Sequence, residues 1–570
     1  MKRLVLVFAI LVLVAAAAAG LGILLAGGGP APLADPLVLT WHLDRPVVEW
    51  TPEVELPFAA GASPDTIKDL YLAFSGARDD QRVAGLAVYV QGSRFGLAKA
   101  QELRRQLRAL AERGKFVECY LESAGEGTNG TLAYYLVTAC DQVHMAPAGD
   151  LNLLGLYADS VFFRGTLDKL KIEPDISAAG RFKSAGDVYT RRELSPESEE
   201  AVGAVLDSDF RQIVEAIAEA RKLDPDRVRE LIDGAPYDAR EAVALGLVDG
   251  IAYPDEFRER VDERAGGDAR MVSVRDYRPP RPSGGTKVAV AFAMGTIVRG
   301  SGGRQPLTDE FLLGSEETGR MLRDLREDDS VAAVVLRIDS PGGSALASDL
   351  ILREVELLAA EKPVVVSMSD LAASGGYYIA AKATHIVAEA ATLTGSIGVV
   401  GGKLVTRRFQ EEHLGISHDT LQRGANADLY SSLAPFRPEQ AERVRRDMDR
   451  VYGTFVDHVA AGRGLERHEV EAVAEGRVWT GEDALAHRLV DDLGGLDRAL
   501  EIAREAAGLG ADETVRLVFH PSQPSLFDML RVRREPALPA SLARLVRALE
   551  GPTTGLLELP PELASLAAPY

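Results

Sequence analysis

Cysteine is almost missing from this chain of 570 residues, which holds two, Cys119 and Cys140. Two thiols cannot build a disulfide scaffold, and these form no CxxC pair. They read equally as a disulfide, if the body lies outside the cytoplasm, or as two separate buried thiols. Nine histidines, none clustered at zinc-like spacing, give no reason to expect a metal or another cofactor. Positive charge is in deficit as well, with 64 Lys and Arg against 85 Asp and Glu and a net charge of −21. That balance argues against nucleic acid as a partner gripped through a basic surface. What is present, 46% hydrophobic and 26% charged residues, belongs to a chain large enough for two or three packed domains and rules out collagen-like or wholly disordered readings.

Charge is also absent locally. No charged residue occurs between Arg3 and Asp35, and the run LVLVFAILVLVAAAAAGLGILLAGGG fills the gap. About 20 apolar helical residues span a bilayer core of roughly 30 Å, whereas a secretory signal has an apolar region of about 7–15. Residues 1–28 are therefore expected to be a retained transmembrane anchor, with cleavage in the Ala15–Ala19 region as the alternative. Lys2 and Arg3 before the span, and Asp35 and Asp44 after it, put the body on the outer side of the membrane.

The chain repeats itself. GAPYDAREAVALGLVDG (Gly234 to Gly250) matches GRVWTGEDALAHRLVDDLGG (Gly476 to Gly495), with Leu247-Val248-Asp249 against Leu489-Val490-Asp491, an offset of 242. Upstream, Tyr134-Tyr135 falls against Tyr377-Tyr378 and Gly155 against Gly398, both at 243. Between the halves, Tyr277 to Thr286 has a linker's content of Pro, Gly and charge. Within the halves, β-branched runs such as Val331 to Ile338 and Pro363 to Ser367 alternate with amphipathic stretches such as Ala347 to Ala360. This predicts an α/β fold with a buried parallel sheet. Helix-period patterns cover Pro196 to Lys222 and Pro438 to Gly462. After Gly510 the tail is rich in Pro and Leu, with one amphipathic helix expected near 540–550.

Two segments of the second half carry chemistry. Asp339-Ser340-Pro341-Gly342-Gly343-Ser344 follows a predicted strand, and its glycines free backbone N–H groups that can hold a developing oxyanion; a plain tight turn is the blander reading. Asp370-Leu371-Ala372-Ala373-Ser374-Gly375-Gly376 then sets one serine among small residues at a helix start. A polypeptide could approach that hydroxyl, although an N-cap serine is the commoner use. His385, His413, His418 and His458 are available as a base, but no local motif ties any of them to Ser374. A desolvated lysine is the other solution, since burial lowers its pKa from about 10.4 towards neutrality. Lysine is scarce here and none follows Lys403. Lys382, about two helical turns beyond Ser374, would be roughly 12 Å away, too far for direct proton transfer.

SPGGS, MSDLAASGGYYIA, ATLTGSIGVVGG and, in the first half, GRFKSAGD together resemble the long two-repeat form of bacterial signal peptide peptidase, the protease IV family, from the anchor to about Gly510. The resemblance implies a tandem repeat of crotonase-like (Clp-protease-like) domains after an N-terminal transmembrane helix. It divides the chain into the anchor 1–28, a first repeat 29–276, a linker 277–286, a second repeat 287–510 and a tail 511–570. Position by position it implies Ser374 as nucleophile, Lys183 as general base and Ser396 as the residue that orients the lysine. Gly343 and Gly375 are implied as oxyanion-hole donors through their backbone N–H groups, with Gly342 the neighbour that would serve the same sequence argument. The second-half stretch matching GRFKS is RGANADL (Arg423 to Leu429), without lysine, and Thr131 stands opposite Ser374, so each half has kept one member of the dyad.

The implied protein is a membrane-anchored serine endopeptidase, using no cofactor and no metal. It degrades cleaved signal peptides and other apolar peptides at the outer face of the cytoplasmic membrane, as a homo-oligomer, a tetramer by resemblance. The alternatives are a catalytically silent membrane scaffold on the same fold and, within the fold superfamily, a CoA-thioester enzyme that would need no serine–lysine pair.

Overall fold

The computed structural model describes residues 36–51, 64–92, 95–280, 284–304, 310–510, 513–521 and 556–557. The expected anchor (1–28) and the helix expected near 540–550 lie outside the described residues. Among the described residues no helix is long and apolar enough to cross a membrane.

Apolar β-branched runs become central strands because both faces can be covered. The ten residues of the strand Val364–Ala373 are all buried, and so are eight of the ten in Val331–Ser340, Ala332 and Asp339 being half-buried. The first half folds around six strands in the order Gly250–Ile251, Gln142–Met145, Phe116–Leu121, Val83–Val90, Leu37–Leu43 and Arg270–Ser273, every neighbouring pair parallel. The second half repeats the plan with Val515–His520, Thr286–Met294, Val331–Ser340 and Val364–Ala373, again parallel. Beyond Val364–Ala373 the sheet forks to His385–Ala388 and to Leu393–Gly395. The second sheet thus runs past Gly510 and takes in Val515–His520, because the alternating apolar residues there cover the edge of Thr286–Met294. Tyr277, at the head of the expected linker, is buried, its hydroxyl donating to Asp80.

The repeat extends to individual hydrogen bonds. Tyr134 donates its hydroxyl to the Leu247 carbonyl at 2.7 Å, and Tyr377 donates to the Leu489 carbonyl at 2.8 Å. Asp249 accepts from the Val143 N–H, as Asp491 accepts from the Ile386 N–H. The long helices Pro196–Arg221 and Pro438–Arg463 each begin with Pro in the first turn, and each ends at a left-handed residue, Lys222 and Gly464. Cys119, on a central strand of the first half, and Cys140, just after the helix Thr131–Val137, are joined as a disulfide with their Cα atoms 6.0 Å apart. Of the two sequence alternatives, the paired one holds.

The halves interlock. The first-half strand Glu173–Ala179 leaves its own domain and pairs antiparallel over its whole length with Val399–Val405 of the second half. Helix Pro196–Arg221 packs Val202 and Val205 on Leu371, Ala373, Leu393 and Val478. On that helix Asp209 is 6% exposed, and its Oδ1 has no hydrogen-bond partner. Burial, with the nearby Asp483 and Asp370 carboxylates adding to it, pushes the Asp209 carboxyl up to about 8.

A carboxyl raised in the folded state keeps its proton there while the unfolded chain loses it, so stability falls as pH rises from about 4 and levels off above about 8. Asp209→Asn removes this cost. Its unfolding free energy should exceed the parent's by a margin that widens between about pH 4 and pH 8 and then stays constant, reaching on the order of 3 kcal/mol in thermal unfolding monitored by circular dichroism.

Candidate active site

The strand Val364–Ala373 ends at Ser374, whose φ of 56° and ψ of −115° are rare for any residue with a side chain. The conformation is fixed from both sides. Ser374 donates its N–H to the Gly395 carbonyl at 2.8 Å, and its carbonyl accepts from Tyr378 N–H at 2.8 Å as the short helix Gly375–Ala380 starts. The turn raises the hydroxyl out of the strand line while keeping the residue fully buried. Ser396 is also at positive φ, 52°, and donates its N–H to the Arg477 carbonyl.

Lys183 reaches these serines from the other half. The strand Glu173–Ala179, paired with Val399–Val405, delivers the chain to Gly180, and the following turn rests on the backbone of Glu475 and Gly476. Gly180, at φ 106°, touches Glu475 so closely that a Cβ would stand 2.5 Å from the Glu475 carbonyl carbon; only glycine fits. Phe182 N–H donates to the Glu475 carbonyl at 2.8 Å. The Lys183 side chain, with the residue 3% exposed, then ends with Nζ 2.8 Å from Ser374 Oγ, 3.0 Å from Ser396 Oγ and 3.1 Å from the Ser396 carbonyl oxygen. The three side chains named from the sequence are one hydrogen-bonded group.

The Gly-Gly turn lies beside them. A Cβ on Gly375 would stand 2.7 Å from Ser348 Oγ and 3.1 Å from Gly343 N, so these two backbone segments face each other across a space a methyl group would crowd. Gly342 donates its N–H to Ser340 Oγ, and its carbonyl accepts from Ile297 N–H. Peptide groups alternate along a strand, so the Gly343 N–H points away from Ile297. It faces the strand Leu556–Leu557, whose backbone pairs antiparallel with Gly343–Ser344 on one side and with Val400 on the other. An extended chain therefore occupies a slot between the Gly343 strand and the Val399–Val405 strand, the strand that leads out of Ser396. Of the two glycines open to the sequence argument, Gly343 is the one with a free direction towards this slot.

The remaining candidates are placed elsewhere. Helix Gly375–Ala380 stops short of Lys382, whose Nζ lies 2.8 Å from Glu356 Oε1 in an ion pair. His458 meets Asp349 and His418 meets Gln410, and neither hydrogen-bonds Ser374. Among the described residues no group of His, Cys, Asp or Glu could hold a metal ion.

Sequence reasoning missed the group that supports both loops. Lys99, on the first-half helix Leu97–Glu112, puts Nζ 2.7 Å from Asp339 Oδ2 and 2.8 Å from Asp370 Oδ2. Asp339 precedes the Gly-Gly turn and Asp370 precedes Ser374, so one buried cation ties the two loops together. Asp370 also accepts the N–H groups of Gly96 and Lys99. Beside it Arg337, fully buried, is held by Glu49 and Glu102. Burial among neighbouring carboxylates pushes Asp339 up to about 6 in spite of Lys99, whereas Arg337 and Lys99 hold Glu49 down at about 2 against the effect of its burial. The signal available in the sequence was a charged residue inside each of two apolar strand ends, with nothing to name the partner.

A family model described as peptidase family S49 matches residues 121–267 and 356–510. The chain is 36% identical over 465 residues to the chloroplastic serine protease SPPA of Arabidopsis thaliana, covering 79% of this chain and 67% of that one. It is 31% identical over 513 residues to protease 4 of Salmonella typhi, covering 86% and 80% respectively. With protease 4 of Haemophilus influenzae the identity is 30% over 475 residues, covering 79% and 74%.

Replacing Lys99 by Met would strand the Asp339 and Asp370 carboxylates in the interior. The variant should lose about 3–5 kcal/mol of stability in chemical denaturation. Lys99→Arg, which keeps the charge, should lose less.

Proposed function

Because the chain belongs to peptidase family S49 and is a serine protease on an α/β fold, we propose that Ser374 is its nucleophile and Lys183 its general base. The observation that carries this reading is the buried contact of 2.8 Å between Lys183 Nζ and Ser374 Oγ, made from opposite halves of the chain. Burial disfavours the ammonium form of a lysine. A neutral amine has two hydrogens and one lone pair, and the two oxygens of Ser396 lie at 3.0 and 3.1 Å to accept the hydrogens. The lone pair is then left for the Ser374 O–H. Ser396 is in this way a positioning residue that fixes the direction of the base.

Catalysis follows from these places. Lys183 takes the Ser374 proton as Oγ attacks a peptide carbonyl, and the oxygen that becomes negative is received by the N–H groups of Gly343 and Gly375. The amine leaves with the proton carried by Lys183, and water, activated by the same amine, releases the acyl group. The slot that holds Leu556–Leu557 accepts a polypeptide in extended form through its backbone, which supports peptides as substrates.

In this reading the substrates are cleaved signal peptides and other apolar peptides. The apolar N-terminal run anchors the enzyme in the cytoplasmic membrane with its body outside, and copies of the chain assemble, as a tetramer. Tethering near the lipid surface raises the effective concentration of substrates that themselves reside in the bilayer.

Cleavage of a fluorogenic apolar peptide by the detergent-solubilised chain tests the assignment. Ser374→Ala and Lys183→Ala should each lower kcat/KM by about 10³-fold or more. Ser396→Ala should lower kcat by about 10- to 100-fold with little change in KM, and Lys382→Ala should stay within about twofold of the parent. A Ser374→Ala variant as fast as the parent would overturn the nucleophile.

A further inference from the structure

Residues 476–479, which open the second copy of the repeated motif, touch both turns that build the base group. The Arg477 carbonyl takes the Ser396 N–H at 2.8 Å. Gly476 lies so close to the other turn that a Cβ on it would stand 2.6 Å from the Lys183 backbone nitrogen. The strand Val478–Trp479 then pairs antiparallel with Leu393–Gly395, the strand that leads into Ser396.

The Arg477 side chain is stacked between two rings. Its guanidinium carbon lies 4.9 Å from the centre of the Phe182 ring and 4.5 Å from that of Trp479. Phe182 is buried and immediately precedes Lys183. The Trp479 indole is fixed in turn, its N–H donating to the Val473 carbonyl at 2.8 Å. One edge of the guanidinium pairs with Glu200 on the helix Pro196–Arg221, while Nε is buried and has no hydrogen-bond partner among the described residues. An unmet donor on a buried charged group works against stability, so stability alone does not account for the arginine.

The repeat supplies the contrast. At the offset of 242, Ala235 and Tyr237 stand where the second half has Arg477 and Trp479, and with Gly424 against Gly180 the residue opposite Phe182 is Asn426. At 243, Leu153 stands opposite Ser396. The framework hydrogen bonds recur in both halves, but the arginine and the phenylalanine it covers occur only where Lys183 meets Ser374. We propose that Arg477 is a positioning residue for the base, clamping the turn that carries Lys183 to the turn that carries Ser396. Through this clamp it sets the approach of Lys183 Nζ to Ser374 Oγ and to the Ser396 oxygens, so the proposal rests on the assignment of Lys183 as base. A guanidinium suits the task because it is planar: it lies between two rings and still offers an edge to a carboxylate, which an ammonium cannot do. A displacement of about 1 Å at such a base is enough to cost about 10²-fold in rate.

Steady-state cleavage of the fluorogenic apolar peptide by full chains in detergent tests it, with thermal unfolding followed by circular dichroism to confirm that each variant is folded. Arg477→Met keeps the length of the side chain and removes its charge and plane. It should lower kcat by about 10- to 100-fold and leave KM within about twofold, because the strands of the peptide slot are untouched. Arg477→Lys should recover only part of the loss. Phe182→Leu removes the other face of the same stack and should also lower kcat, and the double variant should be no slower than the slower single one, since both changes break one clamp. If Arg477→Met does not fold, Phe182→Leu carries the test alone. Parent kcat in the folded variant, or a loss confined to KM, would overturn the clamp while an inactive Lys183→Ala left the base standing. A Lys183→Ala variant as active as the parent would overturn both.

Discussion

A lysine amine enclosed by a serine hydroxyl and the two oxygens of a second serine is the constraint on which the rest of this molecule depends. Such an amine must be delivered through a wall of backbone, by a segment held to within a fraction of an ångström. The chain meets this by sending the strand Glu173–Ala179 out of one half to pair along all of Val399–Val405 in the other. The turn after it rests on Glu475 and Gly476, so the position of Lys183 is set by backbone bonds on both sides. Ser374 and Ser396 at the receiving end both adopt positive φ, as does Glu475 under the delivering turn.

The same need for registration explains the cost accepted at the centre of the interface. Lys99 and Arg337 lie buried among Glu49, Glu102, Asp339 and Asp370. Buried ion pairs are seldom efficient sources of stability, because desolvation consumes most of the Coulombic gain. They are directional, however, and this group joins a first-half helix to the two strand ends that carry the Gly-Gly turn and Ser374. A purely apolar contact would have held the halves together without fixing which loop sits where.

The two halves follow one plan, and they differ at the residues that meet in the site. Ser374 has Thr131 opposite it, and the second-half stretch corresponding to Gly180–Lys183 has no lysine. Thr131 now accepts the Gly155 N–H as an ordinary loop contact. What both halves retain is framework: Tyr134 and Tyr377 make the same hydrogen bond, as do Asp249 and Asp491.

By itself the sequence determined the α/β alternation, the duplication, the long helices opened by Pro196 and Pro438, and the residue types of the site. These are legible because each is written in local order: β-branched runs buried on both faces, helix-period apolar positions, proline at a first turn, small residues around a serine. The matched motifs named Ser374, Lys183 and Ser396 through resemblance alone. Only the tertiary structure decided that the three meet at hydrogen-bond distance, that Gly343 and not Gly342 directs its N–H into the slot, and that the two cysteines join. The Lys99 cluster was invisible for the same reason. Its members are separated by up to hundreds of positions in the chain, and a charge inside an apolar run states that a partner exists without stating which. Contacts between distant residues depend on the strand order and on the crossing of the halves, quantities that no short stretch of sequence encodes.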